Sequence, residues 1–320
     1  MTERNAAAFS PAGISSFFEI CDRNPDGSKI KDSSRIGARG GGFGLQKGVR
    51  TVVKIRPTEE TYIRTYIDGK ATRAITSETT AKELLKRVEG RFEVEISHQV
   101  EVPIGSGFGT SAAGAFSCGL ALAQALALPM TYNEIGVVAH NADVVCGTGL
   151  GTVEGLAVGG LVLVIEPGAP GIGITDQIPV SPDLMVVAGS FQPIEKSTVI
   201  LSEEKRSVIN RLGQETMRKI LLKPDVENFM KRCKDFAFGA GLMSNRVRSL
   251  IGEAERAGAL GSTQNMIGEA VHAVVYKEEL NSVRHVFEKY LPSESIVVSE
   301  IDFQGARILH MNRTRPQSIG

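Results

Sequence analysis

Tryptophan is absent from this 320-residue chain, and aromatic residues make up only 6% of it. That scarcity argues against a carbohydrate platform or a surface on which single-stranded bases stack. Cysteine is sparse too: Cys21, Cys118, Cys146 and Cys233 stand far apart, with no CxxC pair and no clustered histidine. The spacing argues against a disulfide scaffold or a tetrahedral zinc site, and reduced thiols in a cytoplasmic protein are expected. No apolar run approaches the ~18 residues of a membrane span, and the first ten residues lack the basic start and apolar stretch of a signal peptide. Charge of one sign is not in surplus either, since 36 Lys and Arg balance 36 Asp and Glu. Nonspecific nucleic-acid binding needs a basic face to displace counterions, so that class is disfavoured. What remains is 42% hydrophobic and 22% charged, enough for a sizeable core and two domains or one large one.

Pattern along the chain predicts the elements. Residues 6–9 read as a short strand broken by Pro11 and Gly13, followed by a polar loop and a glycine-rich run at 37–44. Residues 50–55 read as a strand. In 92–100 the residues Phe92, Val94, Ile96, His98 and Val100 alternate with polar ones, the period of a half-buried strand. His98 falls in the inward row, where a hydrogen-bonded core histidine is the simpler reading than catalysis. Residues 111–126 are apolar on all sides and predict a buried helix. Thr131 and Glu134 fit a capping box opening a helix to about 145. A strand is expected over 159–165 and a domain boundary near 179–182, giving domains 1–180 and 181–320. Beyond it come a strand at 184–188 and helices at 202–222, 224–238 (with Pro224 in the first turn) and 244–257. A second Gly/Ser loop spans 258–263, and strands at 295–298 and 306–309 close the chain. Strands and helices alternate without a strict βαβ repeat, so the fold class is α+β.

The chemistry concentrates in Pro103-Ile104-Gly105-Ser106-Gly107-Phe108-Gly109-Thr110-Ser111. Glycines at alternate positions let the backbone turn tightly and approach a ligand. The apolar helix that follows starts with unsatisfied amides and the positive end of its dipole, a natural phosphate site. Ser106, Thr110 and Ser111 add hydroxyls. A glycine-rich turn joining a strand to a buried helix accounts for the same residues structurally. The spacing is neither a Walker loop nor a dinucleotide fingerprint.

At these residues the chain resembles the GHMP kinases, whose phosphate loop runs approximately P-x-x-x-G-[LF]-G-x-S-[AG]-A, and within them the archaeal pantoate kinases. The resemblance extends over Phe9-Ser10-Pro11, Ala38-Arg39-Gly40-Gly41-Gly42, Ala139-His140-Asn141-Ala142-Asp143-Val144, Gly147-Thr148-Gly149-Leu150-Gly151, residues 167–173, Lys196-Ser197-Thr198-Val199 and Ser299-Glu300-Ile301-Asp302. It implies a two-domain α+β fold, with an N-terminal domain like ribosomal protein S5 domain 2 and a ferredoxin-like C-terminal domain. It also implies ATP and Mg²⁺ as cofactors and a small hydroxy acid as acceptor. By the same resemblance, Pro103, Gly105, Ser106, Gly107, Phe108, Gly109, Thr110 and Ser111 hold the nucleotide, Ser111 and Asp143 hold the metal, and Arg39 holds the acceptor carboxylate.

Two positions depart from the family pattern. Gly13 stands where histidine is usual, and Thr152 where the family places an aspartate near the acceptor hydroxyl. Threonine cannot act as a carboxylate base, but a loose phosphoryl-transfer transition state depends mainly on positioning and charge. Thr152 is thus the residue expected at the catalytic position, with Glu154 two residues on. Both changes lie on the acceptor side, which points to altered substrate geometry. The resemblance implies phosphorylation of the primary hydroxyl of pantoate. The alternatives are the 5-hydroxyl of mevalonate 3-phosphate, or an ATP-binding sensor without turnover. A homodimer is the default assembly.

Overall fold

The computed structural model describes residues 3–191 and 202–310. The first half runs through β1 (Arg4–Cys21), β2 (Gly37–Pro57), β3 (Tyr62–Ile67), β4 (Lys70–Ala71), α1 (Ile75–Leu85), β5 (Phe92–Val100), α2 (Thr110–Leu126), α3 (Tyr132–Val145), α4 (Thr152–Val158), β6 (Leu161–Glu166) and β7 (Ile174–Ile178). The second half contains β8 (Leu184–Ser190), α5 (Glu203–Leu222), α6 (Val226–Gly239), α7 (Asn245–Arg256), β9 (Gly261–Gln264), β10 (Ala270–Tyr276), α8 (Leu280–Tyr290), β11 (Ile296–Glu300) and β12 (Arg307–Leu309). Two sheets result. One follows the order β12-β1-β2-β5-β3-β4, with β6 and β7 attached beside β2, and the other follows β11-β8-β10-β9. The last strand, β12, returns to pair with β1 of the first sheet.

The glycine-rich run and the first strand correct their sequence reading. Residues 4–21 form one long strand through Pro11 and Gly13, because a register shift between Pro11 and Ala12 absorbs the proline. The glycines at 37–44 belong to its antiparallel partner β2 rather than to a loop. A Cβ at Gly40 would run into the carbonyl of Phe17, and one at Gly42 into that of Ile14, so only glycine lets the two backbones come this close. Pro224 is likewise not within its helix. Asp225 is the N-cap and accepts from the Asn228 amide at 2.8 Å, which satisfies the orphan donor and starts α6 at Val226, two residues later than expected. The sequence reading missed β3, β4, α1, α4, β7, β10 and α8, and it took the residues that open β9 for a Gly/Ser loop. The expected capping box is present, with Thr131 N donating to Glu134 Oε2 at 2.7 Å.

The two sheets share one apolar joint. Phe17 of β1 and Phe43 of β2 meet Phe229 of α6 edge to face, with centroids 6.1 and 5.6 Å apart. Phe17, Phe43, Phe229 and Phe236 are all essentially inaccessible to solvent. Each such side chain contributes roughly 1.5–3 kcal/mol. The far end of β1 is covered by α5, where Asn210 Oδ1 accepts from Ile20 N at 2.9 Å and Asn210 Nδ2 donates to Ile20 O at 3.1 Å. Helix α2 is buried against β1 and β2. This packing aims its N-terminus at the edge between the two halves, where the cleft opens.

Candidate active site

Gly105, Gly107 and Gly109 all take left-handed backbone, with φ of 77°, 80° and 62°. This conformation favours glycine and explains the alternation in the sequence. Gly109 is the N-cap of α2 and has no side chain to offer, so the first amides of the helix are left for a ligand. The loop is fixed from behind. Gly13 N donates to Phe108 O at 3.0 Å, and Phe108 is buried in the core.

In front of the loop lies a cleft of about 500 Å³. Gly105, Gly107, Phe108, Gly109, Thr110 and Ser111 form one side of it. Its other sides come from Gly13, Ser15 and Ala38 of the β1–β2 pair, from Thr148 to Leu150 and Thr152, and from Met266 and Ile267 after β9. Among the described residues none of these lining side chains is charged. Behind the helix start sits a second cavity of about 180 Å³, with an apolar wall of Val49, Ile67, Ile75, Val100 and Ile104. Ile104, Thr110, Ser111 and Thr148 line both cavities. Arg73, Thr76, Ser77 and His98 line the other side of the second cavity, so the helix N-terminus stands between a smaller cavity of mixed lining and a larger cleft.

The loop residues Gly105, Gly107, Phe108, Gly109, Thr110 and Ser111 share the cleft with Gly13 and Thr152, whereas Asp143 lines neither cavity. Ser111 is on the first turn of α2, and Asp143 is in the last turn of α3 with its side chain fully buried. Thr148 joins them: its hydroxyl donates to Asp143 Oδ1 at 2.7 Å, and the residue shares both cavities with Ser111. Gly149 is wrapped so closely over Asp143 that a Cβ would press on its carboxylate. An oxygen-only set of one carboxylate and neighbouring hydroxyls, with room kept by a glycine, fits a small hard cation such as Mg²⁺.

Thr152 and Gly13 also meet. The Thr152 methyl lies 3.6 Å from the position of a Cβ on Gly13 and 3.0 Å from one on Gly109. The two departures from the family pattern thus touch the same corner of the cleft. Pro103 and the buried Ser106 belong to the loop but are not part of the lining.

Arg39 is placed elsewhere. Its guanidinium donates to Glu19 Oε2 at 2.6 Å and to the Ile165 carbonyl at 2.8 Å, and it does not line the cleft. Its neighbour Ala38 does, because successive side chains in β2 face opposite sides. Glu154 is also off the cleft. Its carboxyl packs against Gly173, and burial pushes its pKa up to about 8. His98 is buried and hydrogen-bonded on one side, and its ring also lines the second cavity. Its Nδ1 is 2.8 Å from Thr51 Oγ1, and burial lowers its pKa to about 4, against a small opposing effect of Asp68. Residues 196–199 lie outside the described residues.

Sequence reasoning passed over Met266 and Ile267, which no motif marks. It quoted Thr148 within Gly-Thr-Gly but gave it no role. A hydroxyl five residues after an acidic helical residue was the available signal.

Comparison with known proteins gives concordant findings. Residues 74–154 match the GHMP kinases N terminal domain. The chain is 30% identical to the pantoate kinase of Thermococcus kodakarensis over 285 residues, covering 87% of this chain and 90% of that one. It is 27% identical to the pantoate kinase of Methanocaldococcus jannaschii over 281 residues, 88% of this chain and 96% of the other. A solved structure described as a phosphotransferase related to the CoA biosynthesis pathway superposes with a TM-score of 0.84 at 27% identity, covering 95% of this chain and 98% of its own.

Proposed function

The chain belongs to the GHMP kinases, and from that premise we propose that it transfers the γ-phosphoryl group of ATP to the primary hydroxyl of pantoate, giving 4-phosphopantoate for coenzyme A synthesis. The observation that carries this reading is the uncapped start of α2 between two cavities. Such a helix end attracts phosphate, the smaller cavity behind it offers a nucleoside base one apolar wall and several polar groups, and the larger cleft in front has room for the acceptor.

Mg²⁺ would be held by Asp143 and Ser111, with Thr148 fixing the carboxylate, and would supply neutralisation of the phosphate charge. The chain's own groups do the rest. The loop amides orient the triphosphate, while Thr152 and Gly13 border the place where the acceptor hydroxyl arrives. With Thr152 there and Glu154 turned away, transfer relies on alignment and charge compensation rather than on a carboxylate base.

An apolar recess of about 90 Å³ continues the cleft behind Thr152, between Ile14, Phe17, Leu156, Val162 and Val164. A branched hydrocarbon carbon suits such a recess, and a second phosphate does not. That supports pantoate over mevalonate 3-phosphate. ADP release measured with pantoate, mevalonate and mevalonate 3-phosphate tests the assignment. The expected result is the highest kcat/KM with pantoate. A preference for mevalonate 3-phosphate would replace the acceptor, and ATP binding with no acceptor-dependent ADP release would leave a sensor.

A further inference from the structure

Under the phosphate loop lies a chain of three fully buried polar side chains that the transfer reaction does not use. His272 of β10 has Nδ1 2.8 Å from Asn265 Oδ1 and Nε2 3.0 Å from Ser16 Oγ. All three residues are inaccessible to solvent. An amide oxygen only accepts, so Nδ1 carries the ring proton and Nε2 accepts from the Ser16 hydroxyl. Burial without a charged neighbour lowers the His272 pKa to about 3, so the ring is neutral at every working pH. The ring also meets Phe43 edge to face, with centroids 5.9 Å apart, which holds its plane.

The three residues come from opposite sides of the cleft. Ser16 is in β1, one residue from Ser15, which lines the cleft. Asn265 directly precedes Met266 and Ile267, which line it from the second sheet. A main-chain bond from Met266 N to Ser15 O, 2.8 Å long, runs beside the relay. Above it, the Asn265 Cβ lies 3.4 Å from the position a Cβ on Gly107 would take. Asn265 therefore lies next to the Gly107 turn, with space for little more than a methyl group between them. The amide of Asn265 keeps one buried donor, Nδ2, that finds no acceptor among the described residues. An unsatisfied buried donor is costly and persists where it has a use.

We propose that Ser16, His272 and Asn265 form a positioning relay that locks the two walls of the cleft together beneath the phosphate loop and holds the Asn265 amide ready to support the loop around bound nucleotide. It rests on the reading of the chain as an ATP-dependent kinase but not on the identity of the acceptor. It is therefore tested by nucleotide binding as well as by turnover.

The experiment compares Ser16→Ala, Asn265→Ala, Asn265→Asp and His272→Leu with Val274→Ala, a buried change in the same strand away from the loop. Calorimetry gives the Kd for Mg·ATP, ADP release gives kcat and KM, and thermal melting gives Tm. Ser16→Ala and Asn265→Ala are each expected to weaken Mg·ATP binding about tenfold, the scale of one buried hydrogen bond. Their double variant should lose less than the product of the two. Asn265→Asp keeps the acceptor for His272 Nδ1 but replaces the spare donor with a carboxylate oxygen. It should lower Tm, because the new carboxylate is buried without a cation, and still weaken ATP binding. Val274→Ala should lower Tm and leave Kd unchanged. If Ser16→Ala and Asn265→Asp bind Mg·ATP as the wild type does, the relay is a core filler and the proposal fails. These two isosteric changes decide the matter even if His272→Leu does not fold. A protein that binds ATP through an intact relay but phosphorylates no pantoate would overturn the acceptor assignment alone.

Discussion

The two walls of the cleft, one proposed to hold the nucleotide phosphates and the other the acceptor, are built in different ways. The end proposed for phosphate is one continuous segment, residues 104–111, where backbone conformation makes the site: three left-handed glycines and an uncapped helix. The acceptor side is assembled from four separate segments, in which Gly13, Ala38, Thr152 and Met266 meet only after the sheets pack. A site made of backbone tolerates side-chain change until the glycines go, whereas a site made of distant side chains can be retuned one residue at a time. The two departures from the family pattern lie on the second kind of wall.

The comparison breaks most visibly at the phosphate end. Ser111→Ala and Asp143→Asn are each expected to lower kcat/KM on the order of 10²-fold, the scale for losing one group that stabilises transition-state charge. Tm should change little for Ser111→Ala, because a small hydroxyl at a helix start leaves no large cavity. Magnesium titrations of both variants check the shared role, and wild-type kinetics at low magnesium would remove it.

A smaller effect is expected at the acceptor corner. Thr152→Ala should cost about tenfold or less, against the 10²–10⁴-fold that removal of a general base brings. A near-complete loss would give the hydroxyl a direct part in the transfer. Gly13→His is less simple, since a Cβ there comes 2.8 Å from a Leu156 methyl carbon. It sharpens the comparison only when combined with Thr152→Asp and read as a ratio of kcat/KM between pantoate and mevalonate 3-phosphate.

Arg39→Met separates stability from binding. With Glu19 buried and bonded to both Arg39 and Gln214, the loss should destabilise the fold by about 1–3 kcal/mol. The acceptor KM should stay near the wild-type value. An increase in KM at unchanged Tm would return Arg39 to the acceptor site.

The least effect is a pH slope. Glu154, near 8 when folded, holds a proton that the unfolded chain releases near the ordinary glutamate value of about 4.3. Its contribution to stability is therefore complete below that value and is lost as pH rises through about 8. Glu154→Gln should flatten the slope, raising Tm at pH 8–9 relative to wild type and leaving it nearly unchanged at pH 5, with little effect on turnover.

These contrasts follow how far each feature is encoded locally. Thr131 and Glu134 announce their helix because a capping box closes within four residues. The glycines at 105, 107 and 109 announce a turn because left-handed backbone is a property of single residues. The glycines at 40 and 42 misled, since they serve the close approach of a strand more than twenty residues away. Helix α4 was missed because it has seven residues and begins at Gly151 with no side-chain cap.

The sequence by itself determined the α+β class, the glycine-rich turn ahead of a buried helix and the capped helix that follows it, all features whose causes lie within a turn or two of chain. Only the tertiary structure decided that Arg39 faces Glu19 while Ala38 faces the cleft, that Glu154 turns inward against Gly173, and that Asn265, bonded to His272, lies near Gly107. Strand register and sheet packing select which side of each residue meets a ligand, and those are properties of pairs of segments rather than of any one.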